Sequence, residues 1–170
     1  MNPISFAKLV HEDFITHDRD LASQGFWALA IHRFGNLRMG IRPRLLRLPF
    51  SVAYRFLNKC VQIFCGIKLD YTVEVGRRVK IEHFGGMILG AKSIGDGCII
   101  RQNTTMGIKS LSDLQGKPTI GNRVSIGAGA VLVGPIVVGD DVQIGANAVV
   151  SRNVPPGWVA TGNPAFIRPR

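Results

Sequence analysis

The stretch IGNRVSIGAGAVLVGPIVVGDDVQIGANAVVSRNVP, residues 120–155, divides without remainder into six hexads. Each opens on an aliphatic residue: Ile120, Ile126, Leu132, Val138, Ile144 and Val150. The fifth place is small or aliphatic too: Val124, Ala130, Ile136, Val142, Ala148 and Val154. Gly follows the opening residue at Gly121, Gly127, Gly139 and Gly145. Neither alternation by two nor a 3.6-residue stripe generates this pattern. A short fixed period marks a solenoid, and a period of six reads as a parallel β-helix. Each hexad supplies one short strand and one turn, and three make a triangular coil. Opening residues fill the narrow prism, and the glycines are expected to turn its corners, where φ > 0 is often needed.

Working outward, the fold class is mainly β, a left-handed parallel β-helix of hexapeptide repeats with an N-terminal α-helical region. The hexads begin at Leu69 and continue at Val75, Ile81 and Met87. The register then slips by one residue and resumes at Ile94, Ile100 and Met106. Between Gly107 and Thr119 it fails, and this polar, turn-rich stretch reads as a loop thrust out of the coil, where binding groups are usually placed. Coils spaced by about 4.8 Å give a prism on the order of 24 Å long for five coils. The division expected is a helical region over 1–67, the β-helix over 68–155 with its extruded loop at 107–119, and a tail over 156–170. Pro155 and Pro156 stop the ladder, since neither can donate to it. Phe166 to Arg170 is expected to lie back across the last coils. In the helical region Phe6, Leu9, Val10 and Phe14 form one stripe, and Phe26, Leu29, Ala30, Phe34 and Leu37 a second. A third helix is expected to follow Pro49 and to end at Gly66.

Cys60, Cys65 and Cys98 are too few and too irregularly placed for a disulfide framework, and no His lies beside them to complete a zinc site. Buried thiols in a reducing cytoplasm are the expectation. Met1 to Phe14 has no long apolar run, so no signal peptide is expected, and no stretch approaches the roughly 20 apolar residues that span a bilayer. The net charge of +10 raises nucleic acid as a partner. No helix-turn-helix, zinc-finger or RNP signature supports it. Arg33, Arg38, Arg42, Arg44, Arg47, Arg55, Lys59 and Lys68 instead fall in one acid-free stretch interleaved with Leu, Phe and Val. Such a segment fits either the face of an anionic membrane or a solvated helix face packed on its own domain.

His83 is the only histidine of the repeat region, third in the hexad Ile81-Glu82-His83-Phe84-Gly85-Gly86. That place is off the inward register, so the ring is expected to face outward near a corner. The two glycines that follow allow a backbone or a thin ligand to come close. An exposed imidazole titrates near neutral pH and suits a general base. His11, His17 and His32 are read as surface histidines without a role.

Several motifs carry a resemblance. They are Val75-Gly76, the acid–His pair Glu82-His83 followed by glycine, Ile126-Gly127-Ala128-Gly129-Ala130, and Val154-Pro155-Pro156 with Gly162-Asn163-Pro164-Ala165. Asp18-Arg19-Asp20 and Gly25-Phe26-Trp27 match more loosely. Through these the chain resembles the serine acetyltransferase branch of the hexapeptide acyltransferases. The resemblance implies a homotrimer that binds acetyl-CoA in grooves between neighbouring prisms and needs no metal. It also implies a His that takes the proton of an acceptor hydroxyl attacking the thioester directly, which here is His83. Small residues at Gly127, Ala128, Gly129, Gly145 and Ala146, with Thr161 and Gly162, would keep the pantetheine approach open. Arg152, Arg168 and Arg170 would meet the phosphates. Gly107, at the mouth of the loop, is placed to offer a backbone N–H to a developing oxyanion.

Two departures accompany the matches. Serine acetyltransferases carry an Asp fifteen residues before the catalytic His, and Lys68 stands there; they carry a His just before the Pro that ends the loop, and Lys117 stands there. Lys68 and Lys117 are therefore read as substrate-binding, and the pattern looks closer to relatives that O-acetylate a sugar or glycan acceptor. L-Serine acetylation is the alternative. Asp70 and Glu82 both remain candidates for the acid that orients His83. A zinc hydratase on this solenoid needs three histidines where the repeats have one. A non-catalytic scaffold leaves His83, the Gly-Gly pair and the loop without a purpose. The location expected is cytoplasmic, with peripheral contact at the inner membrane face.

Overall fold

The computed structural model describes residues 5–170; residues 1–4 of the expected 1–67 region and of the stretch read for a signal peptide lie outside it. Helix α1 spans Phe6–Thr16, α2 Gln24–Met39 and α3 Arg44–Phe64. Ser5 and Ser23 cap the first two, each hydroxyl accepting a first-turn N–H. Helix α3 does not wait for Pro49. It starts at Arg44 behind Pro43 and carries Pro49 in its second turn, on the exposed side. Pro49 lies past the first turn, so its missing N–H forfeits the bond to the Leu45 carbonyl, on the solvent side of the helix.

Fifteen strands, β1 to β15 in chain order, follow among the described residues. Fourteen are wound into three parallel sheets. The first holds β1 (Ile67–Lys68), β4 (Met87–Leu89), β7 (Thr105–Gly107), β10 (Val131–Val133) and β13 (Val149–Val150). The second holds β2 (Glu74–Val75), β5 (Ser93–Ile94), β8 (Thr119–Ile120) and β11 (Val137–Val138). The third holds β3 (Lys80–Ile81), β6 (Ile99–Ile100), β9 (Ser125–Ile126), β12 (Gln143–Ile144) and β14 (Trp158–Thr161). This is the left-handed parallel β-helix read from the hexads. The tail returns as β15 (Phe166–Pro169), antiparallel to β14. Residues 108–118 carry no strand.

Every opening and every fifth residue of the six hexads is buried. Each fully buried Ile, Leu or Val contributes about 1.5–3 kcal/mol relative to exposure. Two details differ from the sequence reading. The glycines at the head of the hexads are required by close approach between coils and not by positive φ. A Cβ on Gly121 would lie 2.8 Å from the Asp140 backbone nitrogen of the next coil. The left-handed corner residues are Arg123, Asp141 and Asn147, among others. The second difference concerns register. Lys68 pairs with Ile88, which places Leu69 beside Leu89, and Leu89 pairs with Met106. Leu89, not Met87, therefore heads its coil. Ile81 to Leu89 takes eight residues where Ile126 to Leu132 takes six. The two extra residues sit in the turn that contains His83, and the one-residue slip is this insertion less one residue before Ile94.

The helices dock on the first coils. Buried Asp13 of α1 accepts from Arg33 Nε of α2 at 3.0 Å, and Arg33 donates onward to the carbonyls of Val75 and Gly76 at 2.7 and 2.6 Å. Arg38 is also buried, its guanidinium 4.4 Å from the ring centres of both Tyr54 and Tyr71. Two of the eight basic residues of the acid-free stretch are thus structural. Buried His17 and His32 are structural as well, not surface residues.

Candidate active site

His83 emerges from the end of β3 in the enlarged turn. Its backbone is left-handed, with φ of 69°. In the coils that follow, the left-handed residue comes one place later, at Asn103, Gly129 and Asn147. A non-glycine residue in this region costs of order 1 kcal/mol or more and persists only when its surroundings hold it there. Two contacts from the helices fix Ile81, the last strand residue before this turn. The Ile81 N–H donates to His17 Nε2 at 3.2 Å, while His17 Nδ1 meets the Asp13 carbonyl at 2.7 Å. This fixes the His17 tautomer, with the proton on Nδ1. Burial pushes its pKa down, which keeps Nε2 free to accept. Gly25, in the first turn of α2, packs so tightly on Ile81 that a Cβ would meet the Ile81 carbonyl oxygen and His17 Nε2.

The result is a cleft of about 390 Å³ lined by His17, Asp18, Asp20, Ser23, Gln24, Lys80, Ile81, Glu82 and His83. Three of these are carboxylates and one is an ammonium. Lys80 Nζ lies 2.7 Å from Asp18 Oδ2, which holds the Asp18 carboxyl below its ordinary range. Glu82 lies beside His83 in sequence but turns to Arg101 at 3.1 Å and to Lys80 at 3.9 Å. Among the described residues no carboxylate hydrogen-bonds the His83 ring. Asp18 and Asp20, with the N-terminus of α2, were not singled out as site residues from sequence. The signal was the Asp-Arg-Asp run, whose place beside β3 depends on the docking of α1 and α2.

The other residues expected at the site separate into two groups. Lys68, Asp70, Gly107 and Lys117 line a second cleft of about 620 Å³, floored by Ile88, Leu89 and Met106 and flanked by Leu114 of the loop. Asp70 caps its own turn there, accepting from Thr72 N–H at 2.9 Å. Within one chain, therefore, Asp70 and His83 line different clefts. The second group continues the third sheet. Glu82, Gly127 and Gly145 donate their N–H groups to Ile100, Ile144 and Ala160 of the next coils at 2.8 Å each. This stacks Glu82, Arg101, Gly127, Gly145 and Thr161 in one column. Residues one place on, His83, Ala128, Ala146 and Gly162, form its neighbour, and Gly129 lies one place further. A Cβ on Gly145 would lie 2.9 Å from Thr161 Cγ2, so Gly145 permits the close approach of Thr161 from the next coil. Arg152 donates to the Ala165 carbonyl at 3.2 Å and pins the tail, and Arg168 is exposed on β15 opposite Val159.

Comparison with known proteins identifies the arrangement. Residues 117–152 match the family model described as bacterial transferase hexapeptide (six repeats). The serine acetyltransferase of Helicobacter pylori strain 26695 is 41% identical over 119 residues, which are 68% of this chain and 68% of that protein. The chain belongs to the serine acetyltransferase family. The enzyme of that name from Synechocystis is 38% identical over 141 residues, 82% of this chain and 54% of its own. That from Mycobacterium tuberculosis is 40% identical over 107 residues, 62% of this chain and 47% of its own. The chain spans about half the length of these two relatives. Soybean serine acetyltransferase in its apo form superimposes with a TM-score of 0.81 at 27% identity, covering 96% of this chain and 69% of that one. The soybean protein complexed with serine gives 0.80 at 27%, covering 96% and 70%.

These findings overturn the assignment to sugar and polysaccharide O-acetyltransferases. Lys68 and Lys117 are departures at two positions of a chain whose relatives, by sequence and by structure, are serine acetyltransferases.

Proposed function

We propose that the protein is an acetyl-CoA-dependent serine O-acetyltransferase, with His83 as general base and direct transfer to the serine hydroxyl. The observation that carries this reading is the composition of the His83 cleft. Serine is a zwitterion that presents an ammonium, a carboxylate and a hydroxyl within a few bonds. Asp18, Asp20 and Glu82 against a single Lys80 make the cleft net acidic, which suits the ammonium. The first turn of α2, at Ser23 and Gln24, brings the positive end of its dipole, which suits the carboxylate. The solved relative complexed with serine supports the same acceptor.

Acetyl-CoA is the donor substrate and supplies an activated acetyl thioester. The column Gly127, Gly145 and Thr161, with Ala128, Ala146 and Gly162 beside it, offers the backbone edge and small side chains along which an extended pantetheine amide can pair. Gly129 and Arg168 lie close to it. Arg152 already serves the tail and has one face left for a phosphate. At the reacting end the His83 imidazole takes the hydroxyl proton as the serine oxygen attacks the acetyl carbon, and returns it to the departing thiolate. Such a base contributes about 10²–10⁴-fold. Glu82, next to it in sequence, is anchored by Arg101 at 3.1 Å.

We infer further that the active unit is a homotrimer. His83 and the cleft of Lys68, Asp70, Gly107 and Lys117 are separate within one prism, and side-by-side packing of prisms would bring both to one acetyl-CoA. The free thiols Cys60, Cys65 and Cys98 suit a reducing cytoplasm. Among the described residues no helix is long and apolar enough to cross a membrane.

The test is release of the CoA thiol from acetyl-CoA, followed with a thiol reagent across L-serine concentrations. Saturable dependence on L-serine, lost in His83→Ala, is expected. Turnover that ignores L-serine would remove it as the acceptor. Light scattering that shows a fully active monomer would dismiss the trimer.

A further inference from the structure

Helix α3 divides its circumference into three sectors. Tyr54 and Val61 are buried against the domain, with Ser51, Asn58 and Cys65 half-buried on the same side. At roughly 100° per residue, the opposite side is apolar over a sector of about 160°. Leu45, Leu46, Phe56, Ile63 and Phe64 lie in it, and their exposures of 86, 64, 68, 65 and 74% show that this chain covers none of them. Along one border of the sector run Arg44, Arg55 and Lys59, all exposed. No Asp or Glu occurs between Leu21 and Leu69. Scattered exposed apolar residues are ordinary, but a continuous helical face of large ones marks an interaction surface.

We propose that this face of α3 lies flat in the interfacial layer of an anionic lipid membrane, its apolar sector among the acyl chains and its basic border against the headgroups. The charge pattern favours lipid over a second copy of the chain. A second copy of α3 offers the basic border no partner, because α3 carries no acid. Anionic headgroups supply that complement, and a cationic border beside an apolar face is the pattern of helices that bind in the membrane plane. Arg33 and Arg38, buried in the protein, take no part. The contact is peripheral, since α3 is not apolar enough to span. It does not depend on the acceptor.

The full chain is mixed with vesicles of phosphatidylglycerol in phosphatidylcholine, and separately with phosphatidylcholine alone, and the bound fraction is measured by co-sedimentation. Partition onto the anionic vesicles is expected to exceed that onto neutral ones by roughly tenfold or more. It should fall steeply as salt shortens the Debye length from about 10 Å to about 3 Å. Arg44→Glu with Arg55→Glu and Lys59→Glu should abolish the preference. Leu45→Ser with Phe56→Ser should weaken binding to anionic vesicles at every salt concentration. All five positions are exposed, and an unchanged thermal melt and secondary structure confirm that each variant is folded. Equal partition onto both vesicle types, or onto neither, overturns the proposal. So does binding to neither together with self-association that Phe56→Ser dissolves, which would assign the face to a second copy.

Discussion

The Ile81 backbone N–H donates to His17 Nε2 at 3.2 Å, tying the strand that carries His83 to the end of helix α1 across 64 residues of sequence. The bond is buried, and the same ring is held at its other nitrogen by the Asp13 carbonyl at 2.7 Å. His17 is thus a positioning residue, two bonds of structure removed from the imidazole it serves.

His17→Ala leaves the Ile81 N–H without a buried partner, which costs about 1–3 kcal/mol. Denaturant unfolding should show that loss. Steady-state kinetics should show kcat falling by roughly tenfold or more, because a misplacement of about 1 Å is felt in turnover. A variant as active as the parent would reduce His17 to a stability role.

Gly25→Ala should act at the same contact from the other side. Its methyl would collide with the Ile81 carbonyl, and backbone cannot step aside as a flexible side chain can. Overpacking of this kind costs about 1–3 kcal/mol, and displacement of α2 should open the His83 cleft. Thermal melting is expected to fall, with KM for L-serine rising. An unaltered melt would show that α2 can slide.

His83→Ala should keep the fold and lower turnover by about a hundredfold or more. The ring stands at the surface of an enlarged turn and packs in no core, so circular dichroism should be unchanged. Relief of the left-handed strain requires a different replacement, His83→Gly, which should match or exceed the parent in stability while remaining inactive. If His83→Gly were the less stable protein, the turn would not be strained.

Acid should destabilise the helical region before the β-helix. His32 is buried, donates Nε2–H to the Val73 carbonyl at 2.9 Å, and has its pKa pushed down to about 4 by burial. The unfolded chain binds this proton near pH 6.5, so between pH 6.5 and 4 the unfolded state holds more protons and stability is lost as pH falls. The full loss from His32 is on the order of 3 kcal/mol. His17, also lowered by burial, acts in the same direction. Denaturant midpoints across pH 7 to 4 should fall, and His32→Asn should flatten the slope. A midpoint independent of pH would contradict the burial of both rings.

The hexads at 120–155 determined the fold by themselves, because one column of inward side chains per sheet leaves a period-six trace that no helix or flat sheet shares. Carried back to Leu69, the same period singled out His83 as the one imidazole of the repeat region, off its inward register. The identity of the site around it was not legible there. Asp18, Asp20 and the first turn of α2 reach His83 only through the buried Asp13–Arg33 pair, the His17–Ile81 bond and the close fit of Gly25, all contacts between residues far apart in the chain. The register was misread at Met87 for a related reason. Met87 and Leu89 are both apolar and both buried, and only pairing with Met106 of the next coil decides which one heads the turn. Local pattern carries the periodic part of this protein, since every coil repeats the same packing. What breaks the period, the enlarged turn, the docked helices and the acidic cleft between them, is set by single long-range contacts, and those exist only once the chain is folded.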